Sequence, residues 1–219
     1  MTQINESTDK LVEEGIIELI DLFKKNPAQF EYEIDLCHLF HDILVKKLCN
    51  HNDLKIRWEL KSIMTYDGKE PALDSKFFAK YDISLIQENS EVIPFAFEFK
   101  LFKDLQYDDI NIPYFTPTRI KEPFDDLNKL TNPDNKVERG YILTFVYGKI
   151  SISKTHRINR HKEKREKFQE LIDIASKINN EIKIVCVHFS DIGEESPSFG
   201  ILKYPDNFCE IFNQSEESS

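Results

Sequence analysis

Apolar and polar positions alternate with a period that changes several times along the chain. In "STDKLVEEGIIELIDLFKK", Leu11, Ile16, Ile17, Leu19, Ile20 and Phe23 fall at near-helical intervals. That spacing predicts a helix over 8–25, with Ser7 or Thr8 as its cap and Pro27 as its stop. "EYEIDLCHLFHDILVKKL" keeps the period and brings Ile34, Cys37, Phe40 and Leu44 onto one face, a second helix over 31–49. The period then drops to two. In "LKIRWELKSI", Leu54, Ile56, Trp58 and Leu60 alternate with Lys55, Arg57, Glu59 and Lys61, which is the pattern of a half-exposed strand, closed by the turn "DGKEP". "KFFAKYDISLIQ" and "VIPFAFEFKLF" predict two more strands, joined by the polar segment "ENSE".

From 103 to 120 no period is sustained, so a long loop or lid is expected. "PFDDLNKLTN" predicts a short helix with Pro123 in its first turn, where Asp125 and Asp126 favour the positive end of the helix dipole. "RGYILTFVYG" and "IKIVCVHF" are near-continuous apolar runs, hence buried strands. Between them "REKFQELIDIASKIN" is amphipathic through Phe168, Leu171, Ile172, Ala175 and Ile178, and "SFGILKYPDNFCEIF" suits an edge strand. Helices interleaved with strands predict an α/β fold, a central mixed β-sheet of about five strands flanked by helices. With no visible boundary, residues 1–212 read as one domain with its core at about 31–190, helix 8–25 as an extra N-terminal element, and 213–219 as a disordered acidic tail.

Composition narrows the function. The formal net charge of −10 opposes non-specific coating of nucleic acid, so any contact with phosphate needs a local basic patch or a metal. The four cysteines, Cys37, Cys49, Cys186 and Cys209, have neither zinc-site nor disulfide-framework spacing, which fits a reducing cytosol. The start "MTQINESTDK" is polar, and no apolar run approaches the roughly 18 residues of a membrane span. The expectation is a cytoplasmic protein with no membrane partner.

The candidate chemistry lies in "PFAFEFKLF". Along a strand Phe95, Phe97, Phe99 and Leu101 share one face and Ala96, Glu98 and Lys100 the other, with Glu98 and Lys100 about 7 Å apart. Charges in so apolar a strand cost several kcal/mol unless partners or a function offset them. The strand before it carries Asp82 inside "FAKYDISLI", and side-by-side pairing would bring Asp82 to Glu98. Two close carboxylates repel unless a cation lies between them, and hard oxygen ligands favour magnesium or manganese. The tripeptide of an acid, any residue and lysine recurs, at Glu59 and Glu181 among other places. Only Glu98 joins an apolar strand to an upstream aspartate in a neighbouring strand.

Asp82 followed by Glu98-Phe99-Lys100 resembles the PD-(D/E)XK nuclease superfamily, and the order helix, strand, strand with Asp, strand with Glu-x-Lys, helix, strand extends the resemblance over about 31–147. The resemblance implies a restriction endonuclease-like core and magnesium- or manganese-dependent hydrolysis of a phosphodiester, most readily as a DNA endonuclease of restriction, defence or repair type. It implies Asp82 and Glu98 as metal ligands, the Phe99 carbonyl as a backbone ligand and Lys100 as the residue assisting the attacking water. It also implies a further acid on the helix before the first strand, for which Glu33 is preferred to Glu31 and Asp35. Tyr81 stands where the motif's proline would be, and Gln106 lacks the tyrosine four residues on that marks the helicase-linked exonuclease branch. Nucleic acid, DNA before RNA, is the implied partner, and cutting both strands of a duplex would favour a homodimer. The alternative is a nuclease fold kept as a catalytically silent binding or assembly module.

Other features carry less. "KTHRINRHKEKREK" sets seven Lys or Arg against two Glu, and Lys154, Arg157, Arg160, Lys162, Lys164 and Arg165 could grip phosphates or form a solvated helix face. Tyr107, Tyr114, Phe115 and Arg119 could clamp a substrate strand or pack their own loop. His38 and His41, with Asp42 beside them, have a spacing that metals use, though surface histidines on helices are commoner.

Overall fold

The computed structural model describes residues 6–51, 53–65, 78–104, 117–149, 170–177, 181–191 and 198–204. Among the described residues six strands form one mixed sheet, and their spatial order is their chain order: β1 (Leu54–Thr65), β2 (Phe78–Gln87), β3 (Ile93–Asp104), β4 (Val137–Lys149), β5 (Glu181–Asp191) and β6 (Ser198–Tyr204). β1, β2 and β3 are antiparallel neighbours, β3, β4 and β5 run parallel, and β6 turns back antiparallel to β5. The strand beyond the anticipated five is β6, at the edge foreseen in "SFGILKYPDNFCEIF".

Helices cover both faces, as the two-sided apolar strands β3 to β5 require. On one face α1 (Glu6–Lys25) and α2 (Glu33–Lys47) pack against Ile83, Leu85, Phe95, Phe97, Phe99, Leu143, Phe145 and Val187. On the other, α3 (Pro117–Thr131) brings Leu127 and Leu130 onto a core with Tyr81, Ala96, Ile142, Ile184 and Cys186, joined by Leu171 and Ala175 of the helical residues 170–175. α1 is fixed by the buried stripe Val12, Ile16, Leu19, Ile20 and Phe23 and by two ion pairs to the sheet, Asp9 with Arg139 at 2.9 Å and Glu13 with Lys183.

Several local expectations are corrected. Ser7 and Thr8 lie inside the first turn of α1, which begins at Glu6, and do not precede it. Ile34 is exposed, because the buried stripe of α2 runs through Leu36, Cys37, Phe40, Ile43 and Leu44. α3 begins at Pro117, so Pro123 lies within the helix, the end of the supposed 103–120 loop is helical, and Asp125 and Asp126 stand far from the helix N-terminus. Residues 103 and 104 continue β3 beside Tyr147 and Gly148. Residues 105–116, with Tyr107, Tyr114 and Phe115, lie outside the described residues, as do the tail 213–219 and the basic stretch with Lys154, Arg157, Arg160, Lys162, Lys164 and Arg165.

The largest correction concerns β1. Leu60 does not share a face with Ile56 and Trp58: those two pack with the α1/α2 core, Leu60 with the α3 core. β2 changes face at the matching place, with Ile83 on the first side and Tyr81 on the second. Trp58↔Ile83 and Leu60↔Tyr81 are both paired, and the step between them, Glu59 with Asp82, is not. Glu59 has φ 47°, the left-handed region, which costs a side-chain-bearing residue about 1–2 kcal/mol. The ribbon thus inverts at the step that carries Asp82.

α3 lies close on the sheet because β4 has a glycine beneath it. A Cβ on Gly140 would stand 3.1 Å from Leu130 Cβ and 2.5 Å from the flexible tip of Ile182. Gly140→Ala is therefore expected to destabilise the fold by about 1–3 kcal/mol through overpacking, read as a lower midpoint in urea, with Gly140→Val worse.

Candidate active site

Glu98 and Lys100 leave β3 on the face covered by α3, and both are buried. The β2–β3 ladder runs from Leu85↔Phe95 to Ile83↔Phe97 and stops one step short of Asp82 and Glu98. Into that gap Asp82 turns its carboxylate, and Oδ2 accepts a hydrogen bond from the Phe99 backbone N–H at 2.7 Å. The side chain replaces a missing rung of the ladder, so an open strand pair does not leave Phe99 N–H unsatisfied.

α2 delivers Glu33 at its first residue. Glu33 Oε1 lies 3.7 Å from Lys100 Nζ. The competing acids are used or placed elsewhere: Asp35 Oδ2 accepts from the backbone N–H groups of Glu31 and Tyr32, each at 2.8 Å, and closes the helix start, and Glu31 is exposed. Lys100 reaches neither Asp82 nor Glu98 within ion-pair distance. Its ammonium donates to the Phe99 carbonyl at 2.9 Å and lies 3.1 Å from Asp126 Oδ2.

Asp126 and Lys129 of α3 are the residues that sequence reasoning missed. Lys129 Nζ is 2.6 Å from Glu98 Oε1 and 3.3 Å from Asp126 Oδ1, and it donates to the Lys80 carbonyl at 2.8 Å. Their signal was present: an acid and a lysine three apart, interleaved with the apolar stripe Phe124, Leu127 and Leu130 of a helix. Starting α3 too late hid it, because Asp126 then belonged to a helix end.

Burial makes this cluster electrostatically tense. The side chains of Glu98 and Lys129 are 2% and 7% exposed. Glu33, Asp82, Glu98 and Asp126 face Lys100 and Lys129, an excess of two negative charges when all are ionised. Burial, reinforced by the Asp126 charge, pushes the Glu98 carboxyl well above its usual range, and burial raises Asp82 despite Lys100 and the Phe99 hydrogen bond. Glu33, though its side chain is 39% exposed, is crowded enough by protein that its carboxyl is pushed up to about 7, with Lys100 pulling against that and Asp82 and Asp126 adding to it. Burial alone would lower both ammoniums. For Lys100 the four acids outweigh it, for Lys129 Glu98 and Asp126 do, and both stay charged well above neutrality. Cys37 beneath the cluster has its thiol raised by burial and the nearby acids, which disfavours the thiolate.

The cluster offers oxygen donors and an excess of negative charge, the donor chemistry that hard divalent cations take. Asp126 Oδ2 is buried with no hydrogen-bond-aligned donor, its charge met by Lys100 at 3.1 Å, and Glu98 Oε1 is met by Lys129 at 2.6 Å. Thr144, the β4 neighbour of Lys100 on the same face, buries a hydroxyl that also has no partner among the described residues. In this arrangement the acids are spread over the two lysines, and among the described residues no three His, Cys, Asp or Glu side chains gather closely enough to hold a metal. His38 and His41 clasp Trp58 instead, the first edge-on at 5.2 Å and the second stacked at 4.9 Å, with His41 Nδ1 3.3 Å from Asp42. No described helix is long and apolar enough to cross a membrane, and Cys37, Cys49 and Cys186 are free thiols. Compared with family models, curated proteins and solved structures, the chain matches none of them.

An acid whose folded pKa is raised binds its proton more tightly folded than unfolded, so its contribution to stability falls as pH rises between the two values. For Glu33 that window runs from 4.5 to about 7, and Asp82 and Glu98 act in the same direction. The lysines, raised from 10.5, contribute evenly throughout it. In chelator, the melting temperature is expected to fall between pH 5 and about 7.5, with a shallower fall in Glu33→Gln, checked by thermal denaturation.

Proposed function

We propose that the chain is a metal-dependent nuclease that hydrolyses phosphodiester bonds, most readily of DNA and internally. In this reading α2, β1, β2, β3, α3 and β4 form a restriction endonuclease-like core. The observation that carries it is the meeting of Glu33, Asp82, Glu98 and Lys100, four residues from three separate elements, around one buried cluster with an excess of negative charge. The element order agrees with what the motif implies.

Asp82, Glu98 and the Phe99 carbonyl would hold magnesium or manganese, which supplies charge neutralisation at the phosphate and acidifies a bound water. Lys100 stays protonated because of its carboxylate neighbours, so it acts as a fixed positive charge that orients the nucleophile and steadies charge on the phosphoryl oxygens. It is not the base. Glu33 is better suited to accept the water's proton, since its carboxyl titrates at about 7 without metal and lower once a cation is near.

A second reading, a catalytically silent module, is favoured by one observation: Glu98 and Asp82 already have protein partners in Lys129 and the Phe99 N–H. Incubation of linear, circular and single-stranded DNA with magnesium, manganese or chelator separates the two. Metal-dependent cutting is expected, absent in Glu98→Gln and Lys100→Met and reduced about 10²–10⁴-fold in Glu33→Gln. Cutting that survives Lys100→Met would refute the assignment, and no cutting together with no metal binding would refute the nuclease reading and favour the silent module.

A further inference from the structure

The ammonium of Lys129 occupies a place built for a cation. Glu98 Oε1 stands 2.6 Å from it, Asp126 Oδ1 3.3 Å and the Lys80 carbonyl oxygen 2.8 Å, and it lies 5.3 Å from the centroid of the Tyr81 ring, over its face. Two carboxylates, a carbonyl and an aromatic face are donors that cations of any origin use. Here the cation is covalently part of α3. Leu127 and Leu130, buried in the α3 core, fix the helix on the sheet, and the Asn135 side chain donates to the Lys129 carbonyl at 2.8 Å. The ammonium is therefore presented to Glu98 at high effective concentration.

Glu98 is also the acid that the nuclease reading assigns to the metal, and a divalent ion bonded to that carboxylate would repel the ammonium beside it and compete with it for a single negative charge. We propose that Lys129 is a tethered counter-ion that holds Glu98 in the ion-free protein and that a divalent cation must displace; this rests on the metal-dependent reading of the same site. Displacement explains why the described acids are spread over the lysines and not gathered. It offsets part of the repulsion between Glu98 and Asp126 while the site has no metal, and it weakens metal binding by the free energy of the ammonium contact. Entry of a metal would release Lys129 from Glu98, with Asp126 and the Lys80 carbonyl left to hold it.

The test is manganese binding, by calorimetry, to the full chain as wild type, Lys129→Met and Glu98→Gln, with acetylation of individual lysines mapped by mass spectrometry with and without manganese. Lys129→Met is expected to bind at least about tenfold more tightly than wild type, Glu98→Gln to lose binding, and wild-type Lys129 to acetylate faster once manganese is bound. Equal or weaker binding by Lys129→Met overturns the proposal while leaving the metal site standing. Failure of both wild type and Lys129→Met to bind overturns the metal reading and this inference together. Should Lys129→Met not fold, the wild-type acetylation decides: unchanged reactivity of Lys129 at saturating manganese overturns the proposal.

Discussion

Four carboxylates and two ammoniums share a volume from which water is largely removed, and much of the local architecture serves to make that arrangement bearable. Buried charge is stable only when each ion is met at close range, and losing one member of a buried pair costs about 3–5 kcal/mol. Four elements meet the requirement: β3 supplies Glu98 and Lys100, α3 supplies Asp126 and Lys129, β2 supplies Asp82 and α2 supplies Glu33. Each is held by apolar contacts outside the cluster, so the charges are positioned by hydrocarbon packing and not by their own attraction. Phe99, next to both Glu98 and Lys100, illustrates the division: its ring packs against Phe40 on one face of the sheet, while its backbone N–H and carbonyl serve Asp82 and Lys100.

The distribution of charge across the cluster is uneven, and that unevenness gives the groups different chemistry. Glu98 lies deepest and is matched to an ammonium. Glu33, at the open rim, is only loosely held by Lys100 and titrates near neutrality. One environment thus yields a carboxylate held against a fixed ammonium and another that gains and loses its proton near neutral pH, from residues of nearly identical intrinsic acidity.

The sequence made much of this legible, and the reason is local. Alternation in β3 separates Phe95, Phe97 and Phe99 from Glu98 and Lys100 without any knowledge of the fold, and the buried strands β4 and β5 announce themselves by continuous apolar runs. The acid on α2 came from the resemblance, and of Glu31, Glu33 and Asp35 it is Glu33 that lies within ion-pair distance of Lys100. What was hidden required contact between distant segments. Lys129 reads as an ordinary helix lysine until α3 is laid over Glu98, and the face change at Glu59 violates the strict alternation from which β1 was recognised.

That face change has a mechanical meaning. Because the β1–β2 ribbon turns over at one step, Ile83 is gripped by the core under α1 and α2, while Tyr81 is gripped by the core under α3, where its ring also lies beneath Lys129. Asp82 sits between the two grips. A shift of α3 across the sheet arrives at Tyr81, and from there it reaches the Asp82 backbone through a single peptide unit, while Ile83 stays anchored to the opposite layer. The aspartate is therefore the point at which relative movement of the two helical layers becomes torsion of one residue.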